Sequence, residues 1–174
     1  TARTETINQL RLMADNDPLT DVLNRRGIEK ALDQSLEGLA NGEPCALAYL
    51  DLDHFKRING LFGHTAGDEV LKQMCDRIKS ALSDAQKLGR IGSDEFIILF
   101  PNTDAATARE CAKAIISELN TTSFHIGARA FQVKSAIGVV QVNPGMNATD
   151  AISAASRACR DARKQHQDVV VYEQ

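Results

Sequence analysis

Two strand-like runs separated by a few residues constrain this chain more than any other feature. Lys87-Leu88 leads into Arg90-Ile91-Gly92-Ser93-Asp94-Glu95-Phe96, and the apolar run Phe96-Ile97-Ile98-Leu99-Phe100 follows at once. So short a connection reads as a β-hairpin, so part of the sheet must be antiparallel. A second hairpin is expected from Phe124-His125-Ile126 and Ala130 to Val142, with Gly127 in its turn. Cys45 to Leu52 reads as a buried strand and Val169 to Tyr172 as a last one.

Helical periodicity fills the intervals. Ile7, Leu10 and Met13 share one side of a helix over residues 1–16. Asp17-Pro18 is expected to restart a helix, with Asp at the cap and Pro in the first turn. Ile28, Leu32, Leu36 and Leu39 continue it to a stop near Asn41-Gly42. Val70, Leu71, Met74, Cys75, Ile78 and Leu82 define another helix. Ala108, Cys111, Ala112, Ile115 and Leu119 face inward on a third, and residues 150–165 form the last. Helices and strands interleave, but two hairpins break the alternation. The expected class is therefore α+β, with a mixed or antiparallel sheet instead of a doubly wound parallel one.

Bulk properties narrow the function classes. A length of 174 residues suits one domain with a real core, and 43% hydrophobic with 25% charged residues is ordinary for a globular protein. A net charge of −3 gives no electrostatic case for nucleic acid. Cys45, Cys75, Cys111 and Cys159 form no CxxC pair and lie on apolar stripes, so buried free thiols in a reducing, cytoplasmic setting are expected. No apolar run approaches the roughly 18 residues of a membrane span, and no signal peptide is read at the start. Direct membrane insertion of this domain is not expected, although it is compatible with a place in a membrane-anchored receptor.

Chemistry concentrates in three segments. Asp51 ends a hydrophobic strand, where sites gather in α/β folds. Asp53 shares its face if the strand continues and leaves it if the chain turns. Asp94 and Glu95 sit at the hairpin tip behind Gly92. These acids are either solvated turn residues or, if the two strands are neighbours, a cluster without a compensating cation that calls for a hard divalent ion such as Mg2+. The third segment, Lys56 to Asp68, reads as a glycine-punctuated loop entering a helix. Its amides and Lys56 suit an anion, while Asn59 and Asp68 suit the edge of a purine such as guanine. Taken singly, Asp68 and His64 are equally at home as a helix acid and a surface histidine.

The ordered set is more specific than its parts. Asp17-Pro18-Leu19-Thr20, Asn24-Arg25-Arg26, Asp51-Leu52-Asp53-His54-Phe55-Lys56, Ile58-Asn59, Gly63-His64-Thr65-Ala66-Gly67-Asp68 and Arg90-Ile91-Gly92-Ser93-Asp94-Glu95-Phe96 occur in sequence. Over roughly residues 15–174 the chain resembles the GGDEF family of diguanylate cyclases. The resemblance implies a ferredoxin-like, nucleotidyl-cyclase-like core with a central, mostly antiparallel sheet flanked by helices. It implies a connector helix over 1–16 from an upstream sensor, the domain itself over 17–174, and two GTP condensed to cyclic di-GMP, a bacterial second messenger, across a homodimer. Carried over by position, Asp51, the Leu52 carbonyl, Asp94 and Glu95 would bind Mg2+ (or Mn2+). Glu95 would favour loss of the 3′-hydroxyl proton, and Lys56 would neutralise charge on the phosphates. Asn59, His64, Asp68, Gly92, Ser93 and Arg163 would bind substrate, with Asn59 and Asp68 on guanine.

The chain departs from the family pattern at several positions. Ser93 replaces the second glycine of the signature, where a side chain crowds a phosphate and costs roughly 1 kcal/mol or more if φ is positive. Gly60 stands where an Asp is usual. A late Ala-Lys-x-x-Gly-Arg pattern appears as Ala162-Arg163-Lys164-Gln165-His166-Gln167, so Arg163 keeps the first cation and Gln167 loses the second. Ser83 and Gln86 occupy the positions of the family's Arg-x-x-Asp product-inhibition motif, so feedback at that site is not expected. An active cyclase, a GTP-binding regulator of an attached EAL phosphodiesterase module, and a purely structural dimerisation module remain the readings.

Overall fold

The run from Cys45 to Leu52 (β1) lies at the centre of the sheet, because apolar side chains point to both of its faces and both faces are covered. The structure, a computed structural model, describes residues 2–172. Lys87–Arg90 (β2) and Glu95–Pro101 (β3) form the first hairpin, and β3 pairs antiparallel with β1. Ser135–Val142 (β6) pairs antiparallel with the other edge of β1, and Val169–Tyr172 (β7) adds in parallel beside β6. The resulting order is β2-β3-β1-β6-β7. Its first four strands have the ferredoxin-like arrangement, and the sheet is antiparallel except at its last pair.

Six helices among the described residues complete the layers: Ala2–Asp15 (α1), Arg25–Leu39 (α2), Phe55–Phe62 (α3), His64–Ala81 (α4), Ala105–Thr121 (α5) and Ala148–Lys164 (α6). Alternation along β1 and β3 divides the core. Ala46, Ala48, Leu50, Phe96, Ile98 and Phe100 pack with α3, α4 and α5. Cys45, Leu47, Tyr49, Ile97 and Leu99 pack with α2 and α6. Among these, Ala46, Leu47, Ala48, Leu50, Phe96, Ile97, Ile98 and Phe100 have no exposed surface.

Several local expectations are corrected. Asp17 caps a turn, not a helix. Its carboxylate accepts from the Thr20 amide at 3.0 Å and the Thr20 hydroxyl at 2.7 Å. The loop that follows gives its backbone to the sheet: Leu23 N–H donates to Leu88 O, and Arg90 N–H donates to Leu23 O. A helix there would forfeit both bonds. The helix starts instead at Arg25, where the Asn24 side chain accepts from Gly27 N–H. Residues 56–68 are not a loop either. They form the short α3 and the start of α4, divided at Gly63, whose φ of +89° stops one helix and opens the next. The expected strand 130–142 is broken. Phe124–Ile126 (β4) and Arg129–Phe131 (β5) make their own two-stranded ribbon, and β6 begins only at Ser135. Cys45, Cys75 and Cys159 are buried free thiols, whereas Cys111 is only half-buried. The side chains of Leu10 and Met13 lie outside the described residues, and Ile7 is exposed.

Candidate active site

β1 ends at the site because its last residues pair on both sides. Asp51 stands directly opposite Glu95 of β3 and Ala136 of β6. The two hairpin acids are thus brought to Asp51 by the sheet itself. Leu52 N–H donates to Asp94 O at 3.3 Å and closes the strand end onto the hairpin tip. Asp53 has already turned, and its N–H donates to Lys134 O.

Contrary to the expectation from sequence, the acids do not stand without a cation. Arg163, in the last turn of α6, donates from Nη1 to Asp51 Oδ2 and from Nη2 to Asp53 Oδ1, both at 2.7 Å. One guanidinium therefore bridges the two aspartates although the strand ends between them. Burial pushes the Asp51 carboxyl up to about 6; Arg163 opposes that rise, while Asp94, Glu95 and Asp53 add to it. Arg163 is held still more firmly protonated by its Asp53 hydrogen bond and by the charges of both aspartates. The two partners thus pull in opposite senses. The short contacts argue for the ion pair, and the raised Asp51 reflects burial first, with the neighbouring carboxylates adding to it.

Glu95 has a partner that sequence did not single out. The Tyr49 hydroxyl donates to Glu95 Oε2 at 2.6 Å. Burial and the Glu95 carboxylate push the Tyr49 phenol above its usual range, so it remains a donor. Only the period-two spacing of Tyr49 and Asp51 on one strand face hinted at this contact.

The hairpin tip is organised from outside. Arg90 donates to the Gly92 carbonyl at 3.1 Å and to the Ser93 carbonyl at 2.9 Å, and it pairs with Asp17 at 3.2 Å. Ser93 is exposed, its hydroxyl donates to Asp94 Oδ1 at 3.2 Å, and its φ is not positive. The backbone penalty expected for this serine therefore does not arise, because the tip does not use the left-handed region there.

The residues expected to meet the base lie in the α3–α4 pair, which belongs to the other layer. A Cβ on Gly67 would collide with the Asn59 side-chain oxygen, so glycine permits the close approach of the two helices. Asn59 Oδ1 is buried with no hydrogen-bond partner in the protein, an acceptor left for something else. Asp68 is half-buried in the second turn of α4. His64 and Lys56 are exposed, and no hydrogen bond or ion pair joins any of these four side chains to the acids. Gln167 is exposed beyond α6. Ser83 and Gln86 close a turn on one another through both backbone and side chain.

Among the described residues no three His, Cys, Asp or Glu side chains stand as a ready metal-binding group. The donor chemistry nevertheless fits a hard divalent cation: oxygens of Asp51, Asp94 and Glu95, the last two adding to the rise that burial imposes on Asp51, beside one arginine. In the structure Arg163 holds Asp51 Oδ2 and Tyr49 holds Glu95 Oε2.

The sequence profile described as "Diguanylate cyclase, GGDEF domain" matches residues 14–169, nearly the whole chain. The chain belongs to the GGDEF family. Among relatives of this GGDEF domain, "Probable diguanylate cyclase DgcE" of Escherichia coli K12 is 34% identical over 155 residues, 88% of this chain and 14% of that protein. "Cyclic di-GMP phosphodiesterase PdeR" of the same organism is 31% identical over 157 residues, 90% of this chain and 23% of that protein. The chain thus spans less than a quarter of either. Diguanylate cyclase SiaD of Pseudomonas aeruginosa, solved with its activator SiaC, superposes with a TM-score of 0.85 at 28% identity, covering 98% of this chain and 68% of that one. The coiled coil and GGDEF domain of DgcB from Caulobacter crescentus gives a TM-score of 0.91 at 24% identity, covering 98% and 92%, which supports the fold. No helix among the described residues is long and apolar enough to cross a membrane.

Proposed function

We propose that this domain is a diguanylate cyclase, condensing two GTP into cyclic di-GMP with each of two subunits presenting one nucleotide. The observation that carries the reading is the register that sets Asp51 opposite Glu95 at the end of β1, with Asp94 tied to Leu52 beside them. Mg2+ (or Mn2+) would be held by Asp51, the Leu52 carbonyl, Asp94 and Glu95, and when bound supplies charge neutralisation for phosphoryl transfer. Lys56 and Arg163 are the cations for the phosphates. Asn59 and Asp68 receive the guanine edge, the first through the acceptor it leaves unpaired. His64 and the Gly92-Ser93 backbone complete the substrate contacts. Glu95 accepts the 3′-hydroxyl proton as the attack begins. Phosphoryl transfer asks chiefly for positioning and charge, and this site is built of both.

A second reading has its own support. Gln167 is neutral where the pattern has a cation, and relatives include proteins named for cyclic di-GMP phosphodiesterase activity, such as PdeR. A domain that binds GTP without turnover and regulates an attached EAL module follows from that. Incubating concentrated protein with GTP and Mg2+, then separating products by chromatography, decides between them. Cyclic di-GMP that disappears with Glu95→Gln supports the cyclase. GTP binding by calorimetry without product supports the regulator, and no GTP binding leaves a structural dimerisation module. Concentration matters, because a site shared by two subunits is populated by mass action.

A further inference from the structure

We propose that Tyr49 is a positioning residue for Glu95, fixing which of its carboxylate oxygens faces the reaction; this rests on the cyclase reading above. Tyr49 lies on β1 two residues before Asp51 and stands opposite Ile97. Its side chain therefore shares the face of Asp51 and Glu95 and reaches Glu95 along the strand diagonal. Tyr49 as a residue is 8% exposed, packed in the layer under α6 with Leu47, Ile97 and Leu99. A phenol anchored in the core and donating to a carboxylate at 2.6 Å is a short, charge-assisted bond with a rigid donor.

The same oxygen is confined from a second direction. A Cβ on Gly92 would lie 3.0 Å from Glu95 Oε2, so the tip backbone packs against it. Tyr49 holds Oε2, the Gly92 backbone lies close beside the same carboxyl, and Oε1 is the oxygen left to hold a cation or take a proton. An acid whose rotamer is set by a buried neighbour loses nothing to reorientation when substrate arrives. A hydroxyl serving only the core would need no link to the acid that does the chemistry.

Tyr49→Phe removes one oxygen and keeps the ring, so the fold is retained and circular dichroism melts verify this. Two readouts are made on the whole chain: kcat and KM for GTP with Mg2+, and Mn2+ affinity by electron paramagnetic resonance with a non-hydrolysable GTP analogue. Tyr49→Phe is expected to lower kcat about tenfold with KM within about twofold, and to weaken Mn2+ about fivefold. In a Glu95→Gln background the same change is expected to leave Mn2+ affinity unaltered. An active wild type with unchanged kcat and Mn2+ affinity in Tyr49→Phe overturns the inference alone, as does an equal loss of affinity in both backgrounds. Where wild type binds Mn2+ and nucleotide without turnover, the Mn2+ cycle decides by itself. A wild type showing neither activity nor binding overturns the cyclase reading and this inference with it.

Discussion

Two arginine–aspartate clamps, one at the end of β2 and one at the end of β1 with β3 between those strands, differ in kind. Arg90 and Asp17 are each 16% exposed, and Arg90 also holds two carbonyls of the hairpin tip. Burial works against ionisation of Asp17, yet the two Thr20 donors and Arg90 outweigh it, and the carboxyl is held below its usual range. Arg163 approaches Asp51 more closely, at 2.7 Å, with the pair 35% and 19% exposed, and Asp51 is nevertheless raised to about 6. The distance to the arginine does not decide the outcome. Burial raises both carboxyls: at Asp17 the Thr20 donors and Arg90 overcome it, whereas at Asp51 it is the largest influence, Arg163 does not overcome it, and the neighbouring carboxylates add to it. The first clamp is complete and therefore structural. The second leaves four carboxylates around one arginine, as the cation site proposed above requires.

The largest expected effect falls on the complete clamp. Arg90→Ala strands a partly buried carboxylate and two tip carbonyls, and is expected to cost about 2 kcal/mol in urea unfolding. A loss under about 0.5 kcal/mol would erase the contrast. Next comes Asp51→Asn, which tests the charge-deficient clamp with the opposite sign. The folded Asp51 titrates near 6 and the unfolded one near about 3.9, so the folded state binds more protons between those values. Its stability falls as pH rises through that window, and the penalty is fully present above it. Asp51→Asn is expected to flatten the pH 4–6 slope and to raise stability at pH 7.5 by about 1 kcal/mol after allowance for solvent screening, measured with chelator present. A destabilised variant with an unchanged slope would contradict this.

Arg163→Met probes the same clamp from its other partner. It is expected to cost about 1 kcal/mol at pH 7.5, with the loss shrinking toward pH 5 as Asp51 takes up a proton. An equal loss at both pH values would show that the arginine acts by packing. The smallest effect lies just past the clamp. His166 has φ of +54° at the end of α6, in a position where the family pattern has glycine. His166→Gly is expected to stabilise by about 0.5 kcal/mol in thermal melts, by relieving the left-handed strain.

The contrast between the clamps also marks where sequence was legible. β1, the 87–101 hairpin, α5, α6 and β7 follow from periodicity because each is long or strongly apolar. The pairing of Asp51 with Glu95 follows only from the strand order, since register is a long-range property. The Asp17 turn was read as a cap because Asp-Pro signals a helix start locally. Backbone bonds to β2, some seventy residues away, took the segment instead. Helix α3 was hidden by Gly60 and Gly63, which read as loop punctuation. Arg163 was assigned to phosphates by pattern alone. Its pairing with Asp51 and Asp53 spans more than a hundred residues and no local signal announces it.

The strict alternation of β1 and β3 makes their acid pair self-checking during folding. Shifting β3 by one residue against β1 would move Glu95 off Asp51 and would also turn Phe96, Ile98 and Phe100 toward the wrong layer. The same error that disarms the site would thus exchange the contents of both cores, so a chain folded around a misplaced Glu95 would not persist. Length changes should therefore be tolerated only within the four-residue tip, and a one-residue deletion inside β3 should yield no folded protein at all.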